Sequence, residues 1–312
     1  MLSGLFKDAS WGAKLLVSIF IILIGLVIFS VLGLLIAIPL FNIDISNLEA
    51  VMNVENPGNI AFMKYFQSIT SIGIFVFPPF LIAYVLSKEP LGFLHLKNKS
   101  TIQIYIITAA LTVFSIPLIN FLAEWNAKLS LPDSLSQLEL FMKESEANAE
   151  KITKLFLQAD NIFVLLLNIF VIALIPAIGE ELMFRGVFQH LFTGWTHNKH
   201  LGVWLAAILF SAIHVQFYGF VPRLFLGALF GYVLLWSGNI WLPILAHFIN
   251  NAFAVIAYYL MNKSIIETSP DDLGTGETAL PQVALSIFLL IASLYIIYKS
   301  GKEKETEKIS RF

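Results

Sequence analysis

Cysteine is absent from this chain and charge is scarce. Without thiols there can be no disulfide, zinc thiolate site or cysteine nucleophile, and any metal would have to be held by His, carboxylate or Asn. Charged residues make up 13% of the 312 positions and hydrophobic ones 58%, against roughly 25% and 45–50% in a soluble domain. A formal net charge of −2 gives no electrostatic footprint for nucleic acid. What the chain has instead is a series of apolar runs, several exceeding the roughly 18 residues that cross about 30 Å of hydrocarbon.

Those runs predict an all-α, polytopic membrane protein of about eight transmembrane helices. They lie near 14–41, 60–87, 101–122, 161–188, 200–216, 220–236, 240–261 and 281–299. The first is about twice as long as a signal-peptide core and lacks a small-residue cleavage site, so it reads as a retained helix. Between the third and fourth runs, Glu124 to Asp160 interleaves Leu135, Leu138, Phe141, Ile152 and Phe156 with Glu139, Lys143, Glu146, Glu150 and Lys154. This pattern suits an amphipathic helix at the membrane interface or, alternatively, a soluble connecting loop. The chain thus divides into 1–159 (three helices and the polar connection), 160–261 (a helical core carrying the candidate site) and 262–312 (the last helix and a charged tail).

Placement of basic residues gives an orientation. Lys7, Lys14, Lys88, Lys97, Lys99, Lys199, Lys299, Lys302, Lys304, Lys308 and Arg311 gather on one side, and Asp44, Glu49, Glu55, Glu267, Asp271, Asp272 and Glu277 on the other. Both termini are therefore expected in the cytoplasm, which needs an even number of spans. Lys64 and Arg223 run against the scheme and would have to snorkel. Short loops and the lack of targeting signals point to a prokaryotic plasma membrane.

Glu180, Glu181 and Arg185 follow directly on the apolar run that starts at Asn161. A charge near the bilayer centre costs at least roughly 2.5–3.5 kcal/mol, so such a cluster is a functional-site hypothesis by default. Glu181 and Arg185, at i and i+4, share a helical face and can pair, whereas Glu180 lies about 100° around the helix and is left free to act as a general base. Pro176 and Gly179 are expected to kink the helix and admit water. Two further pairs follow at the same spacing, Phe210 with His214 and His247 with Asn251. The first would fix an imidazole against a ring, and the second would aim two donors at one point, as an oxyanion hole requires. Of the remaining histidines, His190, His197 and His200 fall in or beside the short connection between the fourth and fifth runs and are expected to be solvated, and His95 sits in a lysine-containing inner loop. Packing histidines and a structural Glu–Arg clamp are the plain alternatives, and buried ionisable groups also mark proton-coupled transporters.

In order along the chain, E-E-x-x-x-R at Glu180, Glu181 and Arg185, F-x-x-x-H at Phe210 and His214, and H-x-x-x-N at His247 and Asn251 resemble the CAAX protease and bacteriocin-processing family of intramembrane proteases. That family includes the type II CAAX prenyl endopeptidases, and the resemblance covers roughly 160–261. It implies peptide-bond hydrolysis near the membrane, with Glu180 activating water, His214 assisting, His247 and Asn251 stabilising the oxyanion, and Glu181 and Arg185 shaping the site. The family is often labelled a metalloprotease; the reading preferred here requires no cofactor, while zinc, if bound, would take Glu180, His214 and His247. The implied partners are the lipid bilayer and a membrane protein or lipid-anchored peptide as substrate, with no nucleic acid. A bacteriocin-immunity or scaffold protein without proteolysis is the alternative within the family. The site is expected to open to water on the cytoplasmic side.

Overall fold

The computed structural model describes residues 3–44, 51, 56, 58–267 and 269–310, with the side chains of 278 and 304–310 excepted. Glu49, Glu55 and Arg311 of the orientation argument lie outside these residues, as do the side chains of Lys304 and Lys308. The described chain is helical throughout its ordered elements. We label them α1 (Trp11–Phe41), α2 (Asn59–Leu86), α3 (Ile102–Ala127), α4 (Ser136–Leu157), α5 (Ile162–Thr196), α6 (Lys199–Ala212), α7 (Phe220–Ser237), α8 (Trp241–Asn262) and α9 (Ala279–Ser310). Seven of these are long and apolar enough to cross a membrane, and α6 is a shorter apolar helix of 14 residues.

Each of the eight expected spans is a helix, and the polar connection folds as the amphipathic α4. Asn side chains set two of the starts that matter for the site. Asn161 accepts from Val164 N at the head of α5, and Asn198 accepts from His200 N and Leu201 N at the head of α6, satisfying amides that have no partner inside the helix. Two helix contacts depend on glycine. Gly25 of α1 faces Gly73 of α2 where an added Cβ on either would strike the opposing strand of chain, and a Cβ on Gly179 of α5 would lie 2.8 Å from Phe75 Cβ in α2. Small residues permit such close approach between helices in lipid. Gly179 therefore serves packing at this contact.

Both ends of the described chain lie at one end of the bundle. Gly4 N donates to Tyr84 O at 2.8 Å, the Trp11 and His190 rings lie 6.2 Å apart, and the Trp236 ring lies 5.6 Å from Tyr298 in α9. Asn98 Nδ2 donates to Gly238 O in the α7–α8 turn at the same end. The opposite end carries α4, the turn after α6 and the segment 270–276, held to α3 by Asn120 Nδ2 donating to Pro270 O and Leu273 O.

Two sequence expectations fail here, for Lys64 and His190. Lys64 does not snorkel: it is buried, and its Nζ donates to Asn168 Oδ1 at 2.8 Å, while Asn168 Nδ2 donates to the carbonyls of Leu157 and Gln158. An amide that is anchored at both ends supplies the oxygen that water would otherwise provide. Arg223 is half-buried and turned onto Gln216. His190 is not solvated, its ring lying between Trp11 and Phe93 at 6.2 and 4.4 Å; His197 and His200 are exposed as expected.

Candidate active site

The two carboxylates sit on a short α-helical stretch of α5, Ile175–Glu181, bracketed by π-helical turns at Ile169–Leu174 and Leu182–Phe188. A π turn inserts a residue into the helix and is frequent at functional sites. Two widened turns thus flank the stretch where the sequence suggests a kink, and no periodicity argument would have located them.

Glu181 is fully buried and pairs with Arg185 at 2.9 Å, the i, i+4 contact that the spacing predicts. The arginine Nη1 has no well-aimed hydrogen bond to it, whereas Nη2 donates to Gly227 O of α7 at 3.1 Å. The guanidinium also lies 4.8 Å from the Phe210 ring and 5.5 Å from the Phe230 ring. These aromatic faces offset part of the cost of burying a cation.

His247 joins the two glutamates. Its Nδ1 donates to Glu181 Oε1 at 2.8 Å, and its Nε2 lies 3.9 Å from Glu180 Oε2. Glu180 does not point away from Glu181's partner, as its position around the helix suggests; both carboxylates reach the same imidazole from its two nitrogens. An arginine-paired carboxylate only accepts, so Nδ1 carries a proton, while the gap between Nε2 and Glu180 is too long for a direct hydrogen bond. The Glu180 side chain keeps 14% exposure against none for Glu181, so it is the carboxylate that a water can reach.

His214 lies just beyond α6. Its Nδ1 donates to Phe210 O at 2.8 Å, one of the last-turn carbonyls left without an intrahelical partner, and its ring meets Phe210 edge-on at 5.1 Å. Because a carbonyl only accepts, Nδ1 holds the proton and Nε2 presents a lone pair. Val215 follows at φ 52°, a left-handed conformation costly for a β-branched residue, and turns the chain sharply there. Phe210 also packs edge-on against His247 at 6.1 Å, so one phenyl ring touches both histidines.

Asn251 is engaged elsewhere. Its Nδ2 donates to Ile172 O at 3.3 Å, and its Oδ1 accepts from Asn250 Nδ2 at 3.2 Å. The α-helical donor for Ile172 O would be the amide of residue 176, and Pro176 has none. Asn251 replaces it. Asn251→Ala should therefore lower thermal stability by about 1–3 kcal/mol, the cost of an orphaned buried carbonyl. In a Pro176→Ala background, where the backbone donor is restored, the same change should cost clearly less in thermal unfolding. Equal losses in both backgrounds would remove this account.

Among the described residues no three His, Asp or Glu side chains are grouped closely enough to hold one metal ion. Glu180, His214 and His247 are not grouped in this way, and the Nδ1 bonds of His214 and His247 leave Nε2 as the ring nitrogen each could offer. Sequence reasoning missed Gly227, Phe230, Ile172 and Arg223. Only Arg223 carried a signal, a lone cation in an apolar run.

A carboxylate pair, an arginine and a histidine buried together inside an apolar helical bundle define an integral membrane protein with an ionisable site within its membrane-spanning helices. Residues 162–253, which hold all six candidate residues, match the family described as Type II CAAX prenyl endopeptidase Rce1-like. Over 89 residues the chain is 33% identical to "Uncharacterized protein YpbD" of Bacillus subtilis (strain 168), covering 27% of this chain and 42% of that protein. The match thus spans less than half the length of that relative. No solved structure matches the chain.

Proposed function

We propose that this chain is an intramembrane endopeptidase that hydrolyses a peptide bond of a membrane protein or lipid-anchored peptide, in a prokaryotic plasma membrane with both termini cytoplasmic. The observation that carries the reading is the placement of His247 between Glu180 and Glu181 inside the bundle. Glu180 takes a proton from water, and His214, with its Nε2 lone pair, assists. The hydroxide attacks the scissile carbonyl, and the oxyanion accepts from His247 Nε2–H and from the second N–H of Asn251. Glu180 returns the proton to the leaving amine, so one acid–base group serves both halves of the reaction. Glu181, held by Arg185, keeps Nδ1 protonated and the imidazole oriented.

The test compares the protein termini of membranes containing the active chain with those containing Glu180→Gln. New termini confined to the active sample are expected, and identical terminal profiles would remove the reading. No cofactor is required in this mechanism. Purified protein dialysed against a strong chelator is expected to keep its turnover on a peptide so identified; recovery only on adding zinc would assign Glu180, His214 and His247 to a metal.

A further inference from the structure

Arg223 lies in the first turn of α7. Its Nη2 donates to Gln216 Oε1, and its Nη1 is buried with no hydrogen-bond partner among the described residues. Gly219, one turn earlier, is the position where any Cβ would strike this guanidinium, so the backbone leaves room for it. A desolvated guanidinium N–H without an acceptor is costly and calls for a ligand oxygen.

The guanidinium lines a cavity of about 810 Å³ walled on one side by Ile119, Ala123, Pro222 and Leu226. Its partner Gln216 stands two residues beyond His214, and Gly227, one turn further along α7, accepts from Arg185, so Arg223 lies beside the candidate site. The carboxylates around it are partly spoken for: Glu150 pairs with Lys154 at 2.5 Å, and Glu146 Oε2 accepts from Tyr218 N at 2.9 Å. Glu146 also faces Arg223 and Asp271 also lines the cavity, so an anionic group held there needs the apolar wall as well as the guanidinium, which a peptide supplies and a small free anion does not. The cavity opens among α3, α4 and residues 271–275, the end opposite the chain termini.

We propose that Arg223 binds a carboxylate of the peptide substrate and so sets which bond lies beside Glu180. A planar guanidinium fork matches the two oxygens of a carboxylate, as a point-charge lysine does not. The inference rests on the endopeptidase reading for the word substrate, but not for the binding itself. The carboxylate could be the peptide's C-terminus or an acidic side chain.

Binding is measured by fluorescence anisotropy on the full-length Glu180→Gln chain in detergent, which removes turnover from the readout. The probe is a dansylated Leu–Ala hexapeptide in three forms: free acid, C-terminal amide, and amide with one internal Glu. One carboxylate-bearing form is expected to bind about tenfold or more tightly than the plain amide, from a charge-assisted hydrogen bond, and the form that wins identifies the source. Adding Arg223→Gln should bring the three affinities together, while Arg223→Lys should keep a reduced preference with an unchanged melting temperature. Equal affinities, no binding of any form, or a preference that survives Arg223→Gln would overturn the assignment. Cleavage of the free acid by the unsubstituted chain is read separately, so that a carboxylate preference without hydrolysis removes the enzyme reading and keeps the anchor.

Discussion

Glu180→Gln is expected to lower peptide-bond hydrolysis by about 10²–10⁴-fold, the usual contribution of a positioned acid–base group, while leaving the protein folded. The amide keeps the side chain's shape but cannot take a proton from water. Little else depends on this carboxylate: its nearest charged partner, His247 Nε2, stands 3.9 Å away, and the Arg185 pair belongs to Glu181. Turnover on a peptide identified from membrane proteomics, measured beside the melting temperature, separates the two effects. A variant within tenfold of the unsubstituted rate would remove Glu180 as the base.

Arg185→Met is expected to be the most destabilising single change, at about 3–5 kcal/mol. Removing one member of a buried ion pair strands the other charge, which costs far more than the pair contributed. Here the stranded group is Glu181, with no solvent exposure and its Oε2 already without a hydrogen bond. The substitution also removes the donor to Gly227 O and the cation facing Phe210 and Phe230. Glu181→Gln combined with Arg185→Met leaves no bare charge and should recover much of the loss. Thermal unfolding in detergent gives both values, and an additive double variant would contradict the pairing as the source of the effect.

Apolar runs made the helices legible, because eight stretches that can satisfy their backbone only internally leave no other structure open to them in lipid. The Glu181–Arg185 contact was legible for a similar reason, since i, i+4 spacing fixes neighbours without any tertiary information. His214 was placed correctly beside Phe210, though the atom that holds it is a carbonyl and not the ring. Contacts between distant segments were beyond reach. Nothing in the local pattern says that His247 bonds Glu181, 66 positions away, or that Asn251 covers the carbonyl exposed by Pro176. The π-helical turns on either side of the glutamates were also hidden, as one inserted residue leaves the apolar character of a membrane helix unchanged. Lys64 was misread because snorkelling was the only refuge considered, whereas Asn168 provides a polar partner within the bundle.

The 14 residues of α6 have a consequence for the lipid around them. At 1.5 Å per residue the helix rises about 21 Å, well short of about 30 Å of hydrocarbon. Its outward side chains Leu201, Trp204, Leu205 and Ile208 are exposed along that length, and beyond Ala212 the exposed chain turns through Ile213 and Val215. Lipid beside α6 therefore meets a hydrophobic wall that stops partway across, at the level of His214. A helix this short is accommodated by thinning of the bilayer, by flanking residues or by its neighbours, and the end where that accommodation falls is the one that presents a candidate catalytic residue.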